Sequence, residues 1–418
     1  MFQIHANTSL SPDVLSTVTD ALAEQNDASD YFSLPEFAAS KTLLTRAKQD
    51  LYEKNDARLV RKVTRLLDPF ADERQHVEKR FGAQHVSNAW MKMYETIVRF
   101  NLVPKSTDDE HFLYFDNACF PGSFVFATQH YVRTMTTLKK FEWRASSLVE
   151  NGRALSDTYG LWKQTPSRFT MHDDNNGDVT KWSVVKNIAD QIGPHVDLYS
   201  SDLGMSSSDD YERQEETHAL ANVGQITCGL LVLKTGGALV IKMYNGFLTN
   251  NVCVILLMSS LFHETYLFKP KTSRKRNSEV YLVCKGYHGV DAAKRLGVVD
   301  ALSKVLLQKS VLTVPLLKED VLRNHPHFAN ATSSVLRLSQ NQTEYLVDVT
   351  QTLADVPDKQ TNVLQHIKKK RDAQLKKEVD DWYDLVQLRP LTLTTPGETK
   401  EEPRTAPPAG ETKEEPRT

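Results

Sequence analysis

Three ionisable residues stand where an α/β sheet would present them to a ligand: Lys242 inside the apolar stretch Leu239–Tyr244, Asp202 closing VDLYSSD, and Glu279 opening EVYLVCKGY. A lysine in an apolar strand must find a partner, reach solvent or lose its proton. Desolvated beside another cation, its pKa falls and it can act as a general base; snorkelling from a sheet edge is the plainer alternative. Asp202 lies at the carboxyl end of an apolar run, where open sheets keep their ligand crevice, although a helix-capping aspartate has the same appearance. The segment Asp116–Phe124, DNACFPGSF, follows the apolar run HFLYF. Small residues at a strand-to-helix turn admit a ligand close to the backbone and to the first helical amides. The glycine spacing is not the dinucleotide fingerprint, which argues against a nicotinamide dehydrogenase, and Pro-Gly is also ordinary turn chemistry. Between the last two apolar runs lies a basic loop carrying Lys269, Lys271, Arg274, Lys275 and Arg276. Such a loop suits phosphate contact or is simply solvated.

The elements that must position these groups follow from the hydrophobic pattern. Between Phe112 and Tyr287, short apolar runs alternate with helical stretches, such as Glu215–Lys234 with its one-sided apolar spacing. That alternation predicts a doubly wound, mostly parallel sheet. Residues 1–85 and 291–390 read as helical flanks to an α/β domain over 86–290. Residues 391–418 contain GETKEEPRT twice; with no bulky apolar residue in the repeat, they read as a disordered tail.

The formal net charge of the 418-residue chain is −2, so any nucleic-acid contact must come from local patches. The N-terminus lacks the basic start and apolar core of a secretory signal. The longest apolar run, Val252–Phe262, is too short to span a bilayer and predicts a buried helix. Four dispersed cysteines, Cys119, Cys228, Cys253 and Cys284, lack metal-ligand spacing and suit buried thiols in a reduced compartment. The run Lys368–Arg371 is compatible with a nuclear address or a charged helical face.

Taken together and in order, these segments resemble the FtsJ-like superfamily of RNA 2′-O-ribose methyltransferases, from roughly Val86 to Tyr287. The resemblance implies a Rossmann-like methyltransferase sheet, mostly parallel with a final antiparallel strand. It implies S-adenosyl-L-methionine as cofactor, no metal, and a catalytic tetrad of Lys92, Asp202, Lys242 and Glu279. Lys242 would be the base, with Lys92 disfavouring its charged form and the two acids fixing its position. The stretch Phe141–Leu148 resembles the Trp-containing strand of animal cap 2 methyltransferases, and Asp174–Thr180 resembles their Asp-Asn-Thr-Gly-Asp element. The implied cofactor residues are Pro121, Gly122, Ser123, Trp143, Asp178, Val179 and Asp202. Comparable segments occur in cap-type enzymes of large DNA viruses and of kinetoplastids, and the size and repeat tail look more like the kinetoplastid cap 2 enzymes. The family's usual Pro-Gly-Gly-Phe or Pro-Gly-Ala-Phe turn is here Pro121-Gly122-Ser123-Phe124, which alters the detailed amide contacts. The implied partner is the capped 5′ end of mRNA, with the second transcribed nucleotide as target and the nucleus as compartment. Trp90, Trp162 and Trp182 are available to stack on a cap, though core packing is the commoner role of tryptophan. A first-nucleotide enzyme, an uncapped ribosomal or transfer RNA methyltransferase, and a catalytically silent RNA-binding homologue remain the alternatives.

Overall fold

The computed structural model describes residues 2–5, 33–106, 111–150, 153–154, 157–172, 175–204, 214–308, 315–354 and 361–391. The repeat tail beyond 391 and Asp174 of the Asp174–Thr180 element lie outside the described residues. Among the described residues, seven strands form one mixed sheet: β1 (Phe2–His5), β2 (His111–Asn117), β3 (Lys140–Ser146), β4 (Val196–Ser201), β5 (Leu233–Tyr244), β6 (Phe262–Phe268) and β7 (Glu279–Tyr287). Their spatial order is β1-β6-β7-β5-β4-β2-β3. Strands β3, β2, β4 and β5 run parallel, and β7 enters antiparallel between β5 and β6. The sheet is therefore a mostly parallel methyltransferase-type sheet whose last strand is reversed.

The helices longer than a single turn are α1 (Ala38–Tyr52), α2 (Ala57–Leu66), α3 (Glu73–Phe81), α4 (Asn88–Phe100), α5 (Ser123–Met135), α6 (Trp182–Ile192), α7 (Gln214–Val232) and α8 (Thr249–Leu261). They continue with α9 (Val290–Arg295), α10 (Val298–Gln308), α11 (Glu319–Asn324), α12 (Phe328–Ala354) and α13 (Thr361–Val386). One apolar cluster packs α3, α4, α5 and the end of α13, through Trp382 and Val386, on one sheet face. A second packs α6, α7, α8, α10 and the flanking α1, α2 and α12 on the other. Coverage on both faces explains why β5 is buried without a break from Ala238 to Met243, the near-continuous apolar reading of a strand with two covered faces. Val252–Leu261 lies within α8, all of whose residues are buried.

The N-terminal segment departs from the helical expectation in one respect. Residues Phe2–His5 form β1, which pairs antiparallel with β6 from Phe2↔Leu267 to His5↔Glu264. Four residues carry no periodicity of their own, and the partner strand lies far along the chain. Among the described residues, no helix is long and apolar enough to cross a membrane.

Candidate active site and cofactor cavity

Lys92, Asp202, Lys242 and Glu279 come together on one face of the sheet. In strand pairing, Lys242 stands opposite Tyr281 and Tyr244 opposite Glu279; side chains two residues apart share a face. Helix α4 crosses that face and supplies Lys92. Its start is fixed by Ser87, whose hydroxyl accepts from the Trp90 amide at 3.1 Å, and it ends at left-handed Asn101. Lys92 Nζ donates to Glu279 Oε2 at 3.0 Å and forms an ion pair with Oε1 at 2.8 Å. Lys242 Nζ donates to the Asp202 carbonyl at 2.8 Å and lies 3.1 Å from its Oδ1. Tyr281 joins the two pairs: its hydroxyl donates to Asp202 Oδ1 at 2.8 Å and lies 3.4 Å from Lys92 Nζ. Ser273 donates to Glu279 Oε1 at 2.6 Å. Gly204 leaves the amine of Lys242 approachable, since a Cβ there would sit 3.1 Å from Nζ.

The electrostatics correct one expectation. Burial alone would lower the Lys242 pKa, but Asp202, then the ionisable Tyr244 and Glu279, outweigh it, and the net shift is upward. The downward shift expected from Lys92 is therefore not the net result; Lys92 itself is paired with Glu279 at 2.8 Å. For Glu279 burial opposes ionisation, yet Lys92, Lys269 and Lys242 hold its pKa down to about 2. The cluster is thus a set of paired charges in which Lys242 keeps its proton until the neighbourhood changes.

Beside the cluster, at the carboxyl ends of β2, β3 and β4, lies a cavity of about 300 Å³. Its polar wall includes Asn117, Asp178 and Asp202, and its apolar wall includes Phe120, Leu148, Val179 and Leu203. Among the described residues, no lysine or arginine lines it. Its volume lies at the small end of ligand pockets, at roughly 300–1,000 Å³. Two carboxylates against apolar walls fit a cationic ligand with a flat heterocycle, such as S-adenosyl-L-methionine, and not one bearing phosphates. Gly177 brings Asp178 to this wall: φ is +74°, and a Cβ would fall 1.9 Å from the Ser147 carbonyl oxygen, so only glycine permits the approach. The Asp178 carboxylate accepts from the Thr180 amide at 3.1 Å and its hydroxyl at 2.6 Å, and pairs with Lys181 at 3.3 Å.

Not every residue singled out from the sequence reaches this cavity. Asp178, Val179 and Asp202 line it; Pro121, Gly122, Ser123 and Trp143 do not. Gly122 caps α5 at φ +108°, against Leu161, and the Ser123 hydroxyl accepts from Ser87 at 2.8 Å. Trp143 is buried in β3, edge-on to Phe169 at 6.0 Å and beneath the Arg168 guanidinium at 5.1 Å. A tryptophan in a covered strand serves the core before a ligand. Asn117, Ala118 and Phe120, within the turn segment read as admitting a ligand, also line the cavity, as do Ser147, Leu148 and Gly204, which were not singled out as cofactor residues; all lie at or close to strand ends.

Lys269 departs from the phosphate-contact expectation: its ammonium turns inward to the carbonyls of Asn277 (2.6 Å) and Glu279 (2.9 Å). Desolvation pulls its pKa down to about 8, aided by Lys92 and opposed by Glu279. Lys271 pairs with Asp381 at 3.6 Å and Lys275 with Glu378 at 2.8 Å, while Arg274 is exposed. The loop is anchored by Glu95, one turn beyond Lys92 on α4, which accepts from the Lys271 amide at 2.9 Å and the Thr272 amide at 3.3 Å. Of the aromatic candidates, Trp90 is fully buried and stacked on Tyr94 at 5.1 Å. Trp162 packs near Phe120 at 6.1 Å, and Trp182 against the second apolar cluster. All four cysteines are free and buried.

Residues 85–287 match the family model of the FtsJ-like methyltransferases. The chain carries an FtsJ-like methyltransferase domain. It is 37% identical over 233 residues to a probable methyltransferase, EP424R, of African swine fever virus (isolate Pig/Kenya/KEN-50/1950), covering 52% of this chain and 53% of that protein. It is 28% identical over 276 residues to the cap-specific mRNA (nucleoside-2′-O-)-methyltransferase 2 of Danio rerio, covering 64% of this chain and 37% of the zebrafish protein. The chain thus spans about half or less of the length of these relatives. Among solved structures, a putative ribosomal RNA methyltransferase from Plasmodium falciparum aligns at 19% identity and a TM-score of 0.29, covering 49% of this chain and 98% of that one.

Proposed function

We propose that this protein is an S-adenosyl-L-methionine-dependent mRNA cap methyltransferase that modifies the ribose 2′-oxygen of the second transcribed nucleotide. The observation that carries the reading is the placement of Lys242. Its amine is tethered to Asp202, and Asp202 also forms the wall of an acid-lined cavity that fits the cofactor. The relatives named as cap-specific methyltransferases support the capped end as substrate.

In this reading Asp178 and Asp202 hold the cofactor, which supplies an electrophilic methyl group and a positive charge. Lys242 receives the proton of the 2′-hydroxyl; Asp202 and Tyr281 hold the amine and its neighbours in register. Lys92 and Glu279 neutralise each other and position the floor of the site, so the base works beside fixed dipoles and not loose water. A cationic ligand in the cavity opposes the charge on Lys242 and favours proton release. The basic run Lys368–Arg371 on α13 supports a nuclear location, although Arg371 is also engaged by Asp348 at 2.6 Å and 2.8 Å. The test is methyl transfer to matched capped and uncapped RNAs of one sequence, with Lys242→Ala as control. Transfer to the capped RNA only, absent in the variant, is expected; equal transfer to both RNAs removes cap specificity.

A further inference from the structure

Among the described residues, a second cavity, of about 360 Å³, is lined by the basic loop and by the segments before α4, and shares no lining residue with the first. Five arginines line it: Arg61 and Arg65 of α2, Arg74 of α3, and Arg274 and Arg276 of the loop, joined by two loop lysines. Three of these arginines precede the stretch that matches the family model. Asp68 is the one acid in the lining among the described residues, and desolvation pushes its pKa up against the pull of Arg274, Arg276 and Arg74. Among the described residues, no salt bridge engages Arg61, Arg74, Arg274 or Arg276, and Arg65 has only the exposed Asp72 at 3.4 Å. So many like charges around one cavity repel unless an anion joins them.

The cavity is also next to the chemistry. Asn88 lines it, one helical turn before Lys92 on α4, and so does Ser273, whose hydroxyl holds Glu279 at 2.6 Å. The walls are fastened from both flanks. Gln342 of α12 donates to the Arg276 carbonyl at 2.8 Å, Glu95 holds the loop from α4, and Tyr345 of α12 closes one side.

We infer that this arginine cleft binds the 5′ polyphosphate of the RNA and so measures which nucleotide reaches Lys242. The inference rests on the RNA methyltransferase reading above. Guanidinium forks match phosphate oxygens in pairs. Internal phosphodiesters carry one charge per nucleotide and spread along a groove, whereas a 5′–5′ bridge or a 5′-triphosphate packs several phosphates within a few ångströms. Cations on facing walls of one compact cavity suit the second pattern. With the polyphosphate held beside α4, the transcribed nucleotides run from there past Ser273 towards Lys242, and the separation fixes the target.

The experiment uses the full chain and one RNA sequence with a cap, a 5′-triphosphate or a 5′-hydroxyl, with binding followed by fluorescence anisotropy. Wild type should bind the first two more tightly than the third. Arg61→Ala/Arg276→Ala should weaken both 5′-phosphorylated RNAs by tenfold or more, since each charged hydrogen bond is worth about tenfold. The 5′-hydroxyl RNA should change by less than about twofold on the same arithmetic. S-adenosylhomocysteine binding, measured by calorimetry, should be unaltered, which reports an intact fold. Equal losses for all three RNAs would assign the cleft to internal phosphodiesters and overturn the inference, as would no loss for any. Strong binding of free tripolyphosphate with no preference among the RNAs would assign it to a small nucleotide and also overturn it. Absence of methyl transfer alongside intact 5′-phosphate-dependent binding would fault the catalytic reading and leave the cleft standing.

Discussion

Replacing Glu279 by glutamine isolates the charge that organises the site. Glu279 is 6% exposed, accepts hydrogen bonds from Lys92 and Ser273, and has Lys92 Nζ 2.8 Å from its Oε1. Its pKa is about 2 in the fold against an ordinary 4.5. A depressed folded pKa stabilises the protein in full above the unfolded value and loses that contribution as pH falls through the folded one. The difference of about 2.5 units corresponds to about 3 kcal/mol at pH 7, shrinking to about 1 kcal/mol at pH 3. Glutamine keeps the shape but not the charge, and leaves Lys92 with the Tyr281 hydroxyl at 3.4 Å. Urea unfolding of wild type and Glu279→Gln, followed by tryptophan fluorescence at pH 7, 5 and 3, measures the gap. The variant should be less stable at pH 7, with a gap that narrows by about 2 kcal/mol towards pH 3. A gap that stays constant with pH would refute the reasoning, because it would mean that Glu279 is not held ionised by its neighbours.

Asp202→Asn removes the largest charge that raises the Lys242 pKa, so the rising limb of the rate against pH should move to lower pH while the maximal rate falls; a shift to higher pH would contradict Lys242 as base. Gly177→Ala forces a side chain onto the Ser147 carbonyl at positive φ. It should destabilise by about 2 kcal/mol and weaken S-adenosylhomocysteine binding, as read by thermal shift and calorimetry. Trp143→Phe removes core volume away from the cavity. It should cost about 1–2 kcal/mol of stability with cofactor affinity unchanged within about twofold; a large affinity loss without destabilisation would place the indole on the cofactor after all.

The chemistry was legible in the sequence where residue type and strand end coincide. Asp202, Lys242 and Glu279 announce themselves as charges abutting or inside apolar runs, and their register across β4, β5 and β7 follows from the sheet. Lys92 is different: on an almost wholly buried helix, its role depends on how α4 crosses the sheet. Trp143 and Lys269 show the limit of composition. An indole in a strand and an ammonium in a basic loop each read as ligand contacts until packing sends one to Phe169 and the other to backbone carbonyls. Neither β1 nor the arginine cleft could be read from spacing, because both arise from contacts between segments distant along the chain.

The most direct test of the central claim uses capped transcripts carrying a single 2′-deoxy sugar at the first, second or third nucleotide, with transfer of a labelled methyl group as the readout. The account expects loss of transfer only when the second nucleotide lacks its 2′-hydroxyl, and no transfer to any transcript by Lys242→Ala. Transfer that survives all three substitutions would place the methyl group elsewhere than a ribose at these positions, and loss at the first position alone would move the target by one nucleotide; either result would contradict the account.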